Sequence, residues 1–188
     1  MIKAVNGIYV TEGVSFPRSG SQWLASMLMR YFESRFQYCE KYLRPDLRIG
    51  VDVNTTYEKN HDFDLGSAIR DDRQYLIQVR EFEAACISYY RLEHLQFRTK
   101  ATLLKDKPYV DTTTPHYIEF REVAKDYYDR FIAKWVFAHV PNSHLVIYDK
   151  LLADTPSELA RIVQFLSDDN VDMAKLAEVV QPPTETQP

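Results

Sequence analysis

The sequence predicts a single soluble α/β domain, because short apolar or β-branched segments alternate along it with stretches of helical periodicity. Its 188 residues suit one domain and contain no internal repeat or low-complexity block. Hydrophobic residues make up 45% of the chain, and no apolar run approaches the ~20 residues that span a bilayer. We therefore expect residues 1–180 to form one domain and the Pro- and Thr-rich residues 181–188 to be a disordered tail.

The first βα unit is predicted around a short turn near the N-terminus. Val14–Phe16 end a strand, residues 17–21 form the turn, and a helix with one buried face follows. The apolar positions of this helix recur every three or four residues and are Trp23, Leu24, Met27, Leu28, Tyr31 and Phe32. Further along, residues 49–53 and 55–57 are rich in β-branched residues, and we expect a strand that ends near His61.

Three more segments follow the same alternation. Tyr75–Val79 is predicted as a buried strand, and a helix is predicted over about residues 83–97. After a turn at Asp111–Pro115, an aromatic-rich helical pattern covers about residues 118–139. Leu145–Tyr148 is then predicted as another strand.

The last two helices are predicted from different features of the sequence. Thr155 and Glu158 form a Thr-x-x-Glu capping box, and Pro156 suits the first helical position. A short helix is predicted over residues 171–180.

The charge balance excludes a general attraction for polyanions. The chain has 23 basic and 27 acidic residues, so its net charge of −4 favours neither nucleic acid nor anionic membranes as partners. Two cysteines, Cys39 and Cys86, cannot form a disulfide framework, and residues 1–6 lack the features of a secretory signal. We expect a cytoplasmic protein without a metal site, in which any anionic ligand is bound locally.

Residues 16–23, Phe-Pro-Arg-Ser-Gly-Ser-Gln-Trp, have the composition of an anion-binding turn. Small residues let the backbone approach a ligand, the helix start supplies N–H groups, and Arg18 adds a fixed charge. No Lys-Ser/Thr pair follows Gly20 to hold magnesium, which disfavours a magnesium-dependent phosphotransferase. An ordinary βα turn with a surface arginine is the alternative interpretation.

Residues 15–24 resemble the 5′-phosphosulfate loop of sulfotransferases, which use 3′-phosphoadenosine 5′-phosphosulfate (PAPS) as sulfuryl donor, although Gln22 replaces a small hydroxyl residue. The resemblance covers roughly Val14 to Leu166. It implies a three-layer α/β sandwich with a central parallel sheet, similar to P-loop nucleotide-binding proteins. The donor contacts that it implies in this loop are Arg18, Ser19, Gly20, Ser21, Gln22 and Trp23.

Arg80 and Ser88 resemble the 3′-phosphate signature of the same family, an arginine at a strand end and a serine eight residues later. A guanidinium at the carboxyl end of a strand supplies charged, directional donors to a phosphate. The alternative is a surface ion pair of Arg80 with Glu81 or Glu83 and a solvent-facing Ser88.

Lys59-Asn60-His61 is similar to the family's Lys-Thr-His segment, with Asn60 in place of threonine. Histidine titrates near neutrality, so His61 is the candidate base that accepts the proton of the acceptor hydroxyl. Lys59 would neutralise the sulfuryl oxygens, and Arg18 would stabilise the departing phosphate oxygen. A histidine hydrogen-bonded for structural reasons alone is the other interpretation.

The two tryptophans and the C-terminal region complete the comparison with the family. Trp23 either stacks on an adenine or begins the buried helix face, whereas the spacing around Trp135 indicates a core residue. Residues 145–156 are similar to the family's strand, turn and helix. The Arg-Lys-Gly-x-x-Gly segment that wraps the 3′-phosphate in many members has no counterpart in this sequence.

The sequence therefore predicts a sulfotransferase that moves a sulfuryl group from PAPS to a hydroxyl or amine of a small-molecule or glycan acceptor. A noncatalytic nucleotide-binding or interaction module on the same fold is the alternative, which Gln22, Asn60 and the missing C-terminal segment favour. A P-loop kinase is a weaker alternative that only the anion-binding turn favours.

Overall fold

A sheet of five parallel strands lies at the centre of the described residues, which are 3–40, 54–96 and 109–180 of this computed structural model. The strands are β3 (Thr11–Ser15), β4 (Tyr38–Glu40), β5 (Tyr57–Asn60), β6 (Gln74–Val79) and β7 (Ser143–Ile147). Their order across the sheet is β4-β5-β3-β6-β7. A small antiparallel ribbon, made by β1 (Ala4–Val5) and β2 (Ile8–Tyr9), precedes the sheet.

Helices cover both faces of this sheet. They are α1 (Ser21–Phe32), α2 (Phe82–Tyr90), α3 (Pro115–Ile132), α4 (Tyr148–Ala153), α5 (Thr155–Leu166) and α6 (Met173–Val180). A 3₁₀ helix, Glu33–Arg35, follows α1, and the π-helical segments Arg91–Gln96 and Ala133–Phe137 continue α2 and α3. No helix among the described residues combines the length and the apolar character that crossing a membrane requires.

The two faces of the sheet bury separate clusters of side chains. Helices α1, α5 and α6 pack on one face, where Leu28, Leu76 and Ile162 are buried. Helices α2 and α3 pack on the other, where Phe16, Ile77 and Phe131 are buried. Neighbouring residues of a strand point to opposite faces, so all six residues of β6 are buried. The expected three-layer sandwich with a central parallel sheet is confirmed.

Most predicted elements are present, with shifted ends. The strands predicted to end near Phe16 and His61 end at Ser15 and Asn60. The helix predicted from residue 118 begins at Pro115, because the hydroxyl of Thr114 accepts a hydrogen bond from the backbone N–H of Tyr117 at 3.2 Å. Strand β4 was not predicted, since three residues carry too little pattern. Expectations for residues 49–53, 97 and 181–188 lie outside the described residues.

The predicted cap of α5 is wrong. Asp154, not Thr155, is the N-cap, and its carboxylate accepts a hydrogen bond from the backbone N–H of Ser157 at 3.2 Å. Helix α4 ends immediately before this cap, and the Thr155 hydroxyl donates to the carbonyl of Leu151 at 2.8 Å. Glu158 pairs with Arg161. The capping box fails because the preceding helix occupies the threonine hydroxyl.

Candidate functional site

The carboxyl ends of β3, β5 and β6 bring the predicted site residues to one edge of the sheet. Val14 lies between Asn60 of β5 and Ile77 of β6, so the loop after β3 begins between the ends of both neighbours. His61 directly follows β5, and Arg80 directly follows β6. Ligands of open parallel sheets bind outside this edge.

The loop between β3 and α1 brings the start of α1 to this edge. Gly20 is the N-cap of α1 and has φ 83°. As a glycine it has no side chain that could cap the helix. A Cβ atom at Gly20 would lie 2.5 Å from Cδ2 of Tyr148, so the aromatic ring packs directly on the glycine. Arg18 also has a positive φ, of 66°. The first N–H groups of a helix have no intrahelical partner and attract anions.

In the part of the chain that the structure describes, Ser19 and Arg80 each have one buried polar atom beside this loop without a hydrogen-bond partner. These atoms are Oγ of Ser19, a residue that is 2% exposed, and Nε of Arg80. More than nine in ten buried polar groups in folded proteins are paired, so such atoms need an explanation. Both atoms carry hydrogens, and the oxygens of a bound anion are acceptors of the kind that each of them lacks.

Two guanidinium groups converge beside the loop. Arg18 donates from Nε to the hydroxyl oxygen of Ser88 at 3.0 Å, and Nη1 of Arg80 lies 3.5 Å from the carbonyl oxygen of Arg18. Burial lowers the pKa of Arg18, and the charges of Arg80 and Arg91 lower it further. Within the described residues neither Arg18 nor Arg80 pairs with a carboxylate. The cluster therefore carries uncompensated positive charge.

The surface ion pair considered for Arg80 does not form. The carboxylate of Glu81 instead caps α2 and accepts the backbone N–H groups of Glu83 and Ala84, each at 2.8 Å. Glu83 pairs with Arg121 of α3. The neighbouring acids are thus engaged elsewhere.

Two aromatic rings lie beside the loop between β3 and α1. The guanidinium carbon of Arg80 lies 4.4 Å from the ring centroid of Tyr148, a cation–π contact. The ring of Trp23 meets that of Tyr148 edge-on, with centroids 6.2 Å apart. Trp23 is half-buried and also packs against the core under α1, so it has an exposed ring portion beside the loop and a buried one.

His61 is buried beside the end of β3. Its Nδ1 lies 2.7 Å from the carbonyl oxygen of Ser15 and 3.1 Å from the hydroxyl of the same residue. A carbonyl only accepts hydrogen bonds, so Nδ1 carries the hydrogen and Nε2 carries the lone pair. Burial lowers the pKa of His61 to about 4, which leaves the ring neutral at pH 7.

The turn after His61 is anchored by a buried carboxylate. Asp62, with φ 50°, accepts hydrogen bonds from Nζ of Lys134 at 2.7 Å, Nε1 of Trp135 at 2.9 Å and the backbone N–H of Ser67 at 2.8 Å. Trp135 is 1% exposed, which confirms it as a core residue. The π-helical segment lets these two consecutive residues reach one carboxylate.

Lys59 and Asn60 point to opposite sides of β5. The amide of Asn60 donates to Glu12 at 2.7 Å and to Ser67 at 2.8 Å, so this side chain belongs to a network away from Lys59. Lys59 is 3% exposed, and its Nζ lies 3.6 Å from a carboxylate oxygen of Glu40. Burial lowers the pKa of the Lys59 ammonium, and Glu40 raises it.

Solved sulfotransferases have this architecture. The sulfotransferase domain from the Synechococcus PCC 7002 olefin synthase superposes with a TM-score of 0.57 at 18% identity, over 92% of this chain and 77% of that chain. Mouse sulfotransferase SULT7A1, in a complex with PAP, superposes with a TM-score of 0.54 at 14% identity over 95% of this chain. The chain has a sulfotransferase fold. It spans 63% of the mouse protein's length, and the sequence matches no protein-family model and no curated protein.

Within this sulfotransferase fold the predicted site residues form two adjoining groups. Arg18 of the loop meets Arg80 and Ser88 on the β6 side, and Lys59 and His61 lie on the β5 side. Arg18 joins the two groups, since its charge also lowers the pKa values of Lys59 and His61.

Sequence reasoning missed three residues of the site. Tyr148 directly follows β7 and was the last residue of the predicted strand, so its position at a strand end was an available signal. Arg91 comes three residues after Ser88 on a continuing helix, a spacing that indicates a shared face. Glu40 gave no signal, because the strand that it ends was not predicted.

Proposed function

We propose that the protein is a sulfotransferase, which transfers a sulfuryl group from PAPS to a hydroxyl or amine of a small-molecule or glycan acceptor. One observation carries the proposal: among the described residues, two guanidiniums without a carboxylate partner lie with the unpaired buried hydroxyl of Ser19 beside the start of a helix, and a neutral buried histidine lies next to them. The first part fits a multiply charged anion, and the second fits a general base.

The donor would be held by both groups of site residues. The N–H groups at the start of α1 and the hydroxyl of Ser19 would bind its 5′-phosphosulfate. Arg80 and Ser88 would bind the 3′-phosphate, and the rings of Trp23 and Tyr148 would hold the adenine. When bound, the donor supplies an activated sulfuryl group and a bisphosphate leaving group.

The chain's own residues would supply positioning, a base and positive charge. Nε2 of His61 would accept the proton that the acceptor hydroxyl loses as its oxygen bonds to sulfur. Lys59 would neutralise the sulfuryl oxygens, and Arg18 would stabilise the phosphate oxygen that is released. Burial keeps the base neutral before the reaction, because the pKa of His61 lies near 4.

We further propose that the protein acts in the cytoplasm and binds neither nucleic acid nor a membrane. Cys39 and Cys86 do not form a disulfide, and the net charge is −4. The donor is thus captured against the overall charge by a few local residues.

Calorimetric titration with adenosine 3′,5′-bisphosphate (PAP) tests donor binding. We expect the wild type to bind it, and Arg80→Ala to weaken binding by about tenfold or more, since hydrogen bonds to charged groups are worth about 1.5–3 kcal/mol. Arg161→Ala removes an equal charge from the exposed pair on α5 and should leave binding unchanged. Absence of binding to the wild type would overturn the proposal, and a preference for ATP with magnesium would favour the kinase.

A transfer assay tests the reaction itself. Donor labelled with ³⁵S is incubated with phenolic, alcohol, amine and glycan acceptors in EDTA, and labelled product is separated. We expect product from the wild type and none from His61→Ala, which should still bind PAP. Binding without product across all four acceptor classes would favour the noncatalytic module.

A further inference from the structure

Glu40 connects three elements at the edge of the site. It is the last residue of β4 and lies opposite Lys59 in the register of β5. One oxygen of its carboxylate, Oε1, accepts hydrogen bonds from Nε2 of Gln22 and from the hydroxyl of Tyr38, each at 2.5 Å. The same oxygen lies 3.6 Å from Nζ of Lys59.

Burial makes the ammonium group depend on this carboxylate. The side chain of Lys59 is 3% exposed, and that of Glu40 is 14% exposed. A buried charge is costly unless it is paired and hydrogen-bonded. Without Glu40, desolvation and the charge of Arg18 would both favour the neutral amine, because each lowers the pKa of Lys59.

We propose that Glu40 is a positioning residue of the transfer site, which keeps Lys59 charged and held at the carboxyl edge of the sheet. Gln22 and Tyr38 in turn orient the carboxylate. The inference rests on the proposed function, because a charged Lys59 matters to catalysis only if sulfuryl oxygens develop charge beside it.

This role also explains why glutamine stands at position 22. Gln22 is the second residue of α1, and its carboxamide reaches the carboxylate at the end of β4. A serine or threonine hydroxyl at that position is two atoms shorter and would not span the same gap. The departure from the family's loop pattern thus follows from the presence of Glu40.

Several titratable groups face Lys59 among the described residues. Glu40 and Tyr38 face it from β4, Arg18 from the loop after β3, and His61 from the position that directly follows β5. The hydroxyl of Tyr57 is buried on the same side of β5. Arg18 opposes the charge on Lys59 and His61 is neutral at pH 7, whereas Glu40 supports that charge.

The first test follows the Lys59 amine directly by NMR of the protein labelled with ¹³C at lysine Cε, assigned with Lys59→Met. In Glu40→Gln we expect its titration to move to lower pH by about one pH unit or more. Glu33→Gln is the matched control, because it removes the same charge at the opposite end of α1, where Glu33 pairs with Lys175. An unmoved titration in Glu40→Gln would overturn the inference.

The second test is the pH profile of ³⁵S transfer. We expect the alkaline limb of kcat for Glu40→Gln to move to lower pH in parallel with the NMR titration, whereas Glu33→Gln keeps the wild-type profile. When Lys59→Met is already present, adding Glu40→Gln should not change the pH profile of kcat any further. A profile that falls uniformly at every pH would show a merely structural role. If the wild type transfers no label, the proposed function is wrong. The NMR titration would still report on the ion pair between Glu40 and Lys59.

Discussion

Arg18 donates from Nε to the hydroxyl oxygen of Ser88 at 3.0 Å, which joins the loop after β3 to the last turn of α2. These two residues are 70 positions apart in the chain. The contact places the fixed charge of the loop beside the residue that the family resemblance assigns to the 3′-phosphate. The hydroxyl of Ser88 therefore orders the guanidinium of Arg18.

Replacing Ser88 with alanine should weaken PAP binding with little effect on folding. A hydrogen bond to a charged group is worth about 1.5–3 kcal/mol, so we expect about a tenfold rise in Kd by calorimetry. The melting temperature should stay unchanged, because alanine favours a helix at least as well as serine does. Ser26→Ala, at an exposed position of α1, is the control. Equal affinities of the two variants would contradict the prediction.

Gly20→Ala should destabilise the protein more than Gly7→Ala does. Both glycines have positive φ, 83° and 75°, so each substitution carries a backbone cost of about 1–2 kcal/mol. At Gly20 the new methyl group would also meet the ring of Tyr148 at 2.5 Å, whereas at Gly7 the nearest atom, from Arg35, lies at 3.5 Å. Urea unfolding measures both. Equal losses of unfolding free energy would show that the ring moves aside freely.

The stability should fall on acidification because of His61. Burial holds its folded pKa at about 4, below the ordinary 6.5, so the unfolded chain binds a proton first as the pH falls. Unfolding free energy is therefore retained above pH 6.5 and lost between pH 6.5 and pH 4, by about 3 kcal/mol in all. His61→Gln should remove this part of the pH dependence, and His139→Gln, at an exposed histidine, should not. Parallel curves for wild type and His61→Gln would refute the assignment.

Asp62→Ala should impair both folding and transfer. It leaves the indole N–H of Trp135 without its acceptor. The ammonium of Lys134 loses its carboxylate partner and keeps the backbone carbonyls of Leu65 and Ser67, so we expect a total cost of about 3 kcal/mol. The turn that follows His61 loses its anchor, so we expect kcat to fall more than PAP affinity does. Asp62→Asn keeps an acceptor oxygen and should lose less stability. Asp72→Ala, in an exposed pair with Arg70, should change little.

The local pattern of apolar residues was sufficient to predict those strands and helices that are long enough to show a periodic repeat. Strand β6 is rich in apolar residues and α1 repeats its apolar positions every three or four residues, so both were predicted. Strand β4 has three residues and was missed. The cap at Asp154 was misassigned, because Thr155 gives its hydroxyl to the preceding helix, which a local motif does not include.

The sequence by itself determined the alternation of strands and helices and the residues of the anion-binding turn, because periodicity and turn composition act over a few neighbouring positions. Only the tertiary structure decided that Arg18 meets Ser88 and that Glu40 pairs with Lys59. It also decided the tautomer of His61, through the carbonyl of Ser15. Each of these contacts joins different strands or helices, and its energy depends on burial and distance, which exist only once the sheet has formed.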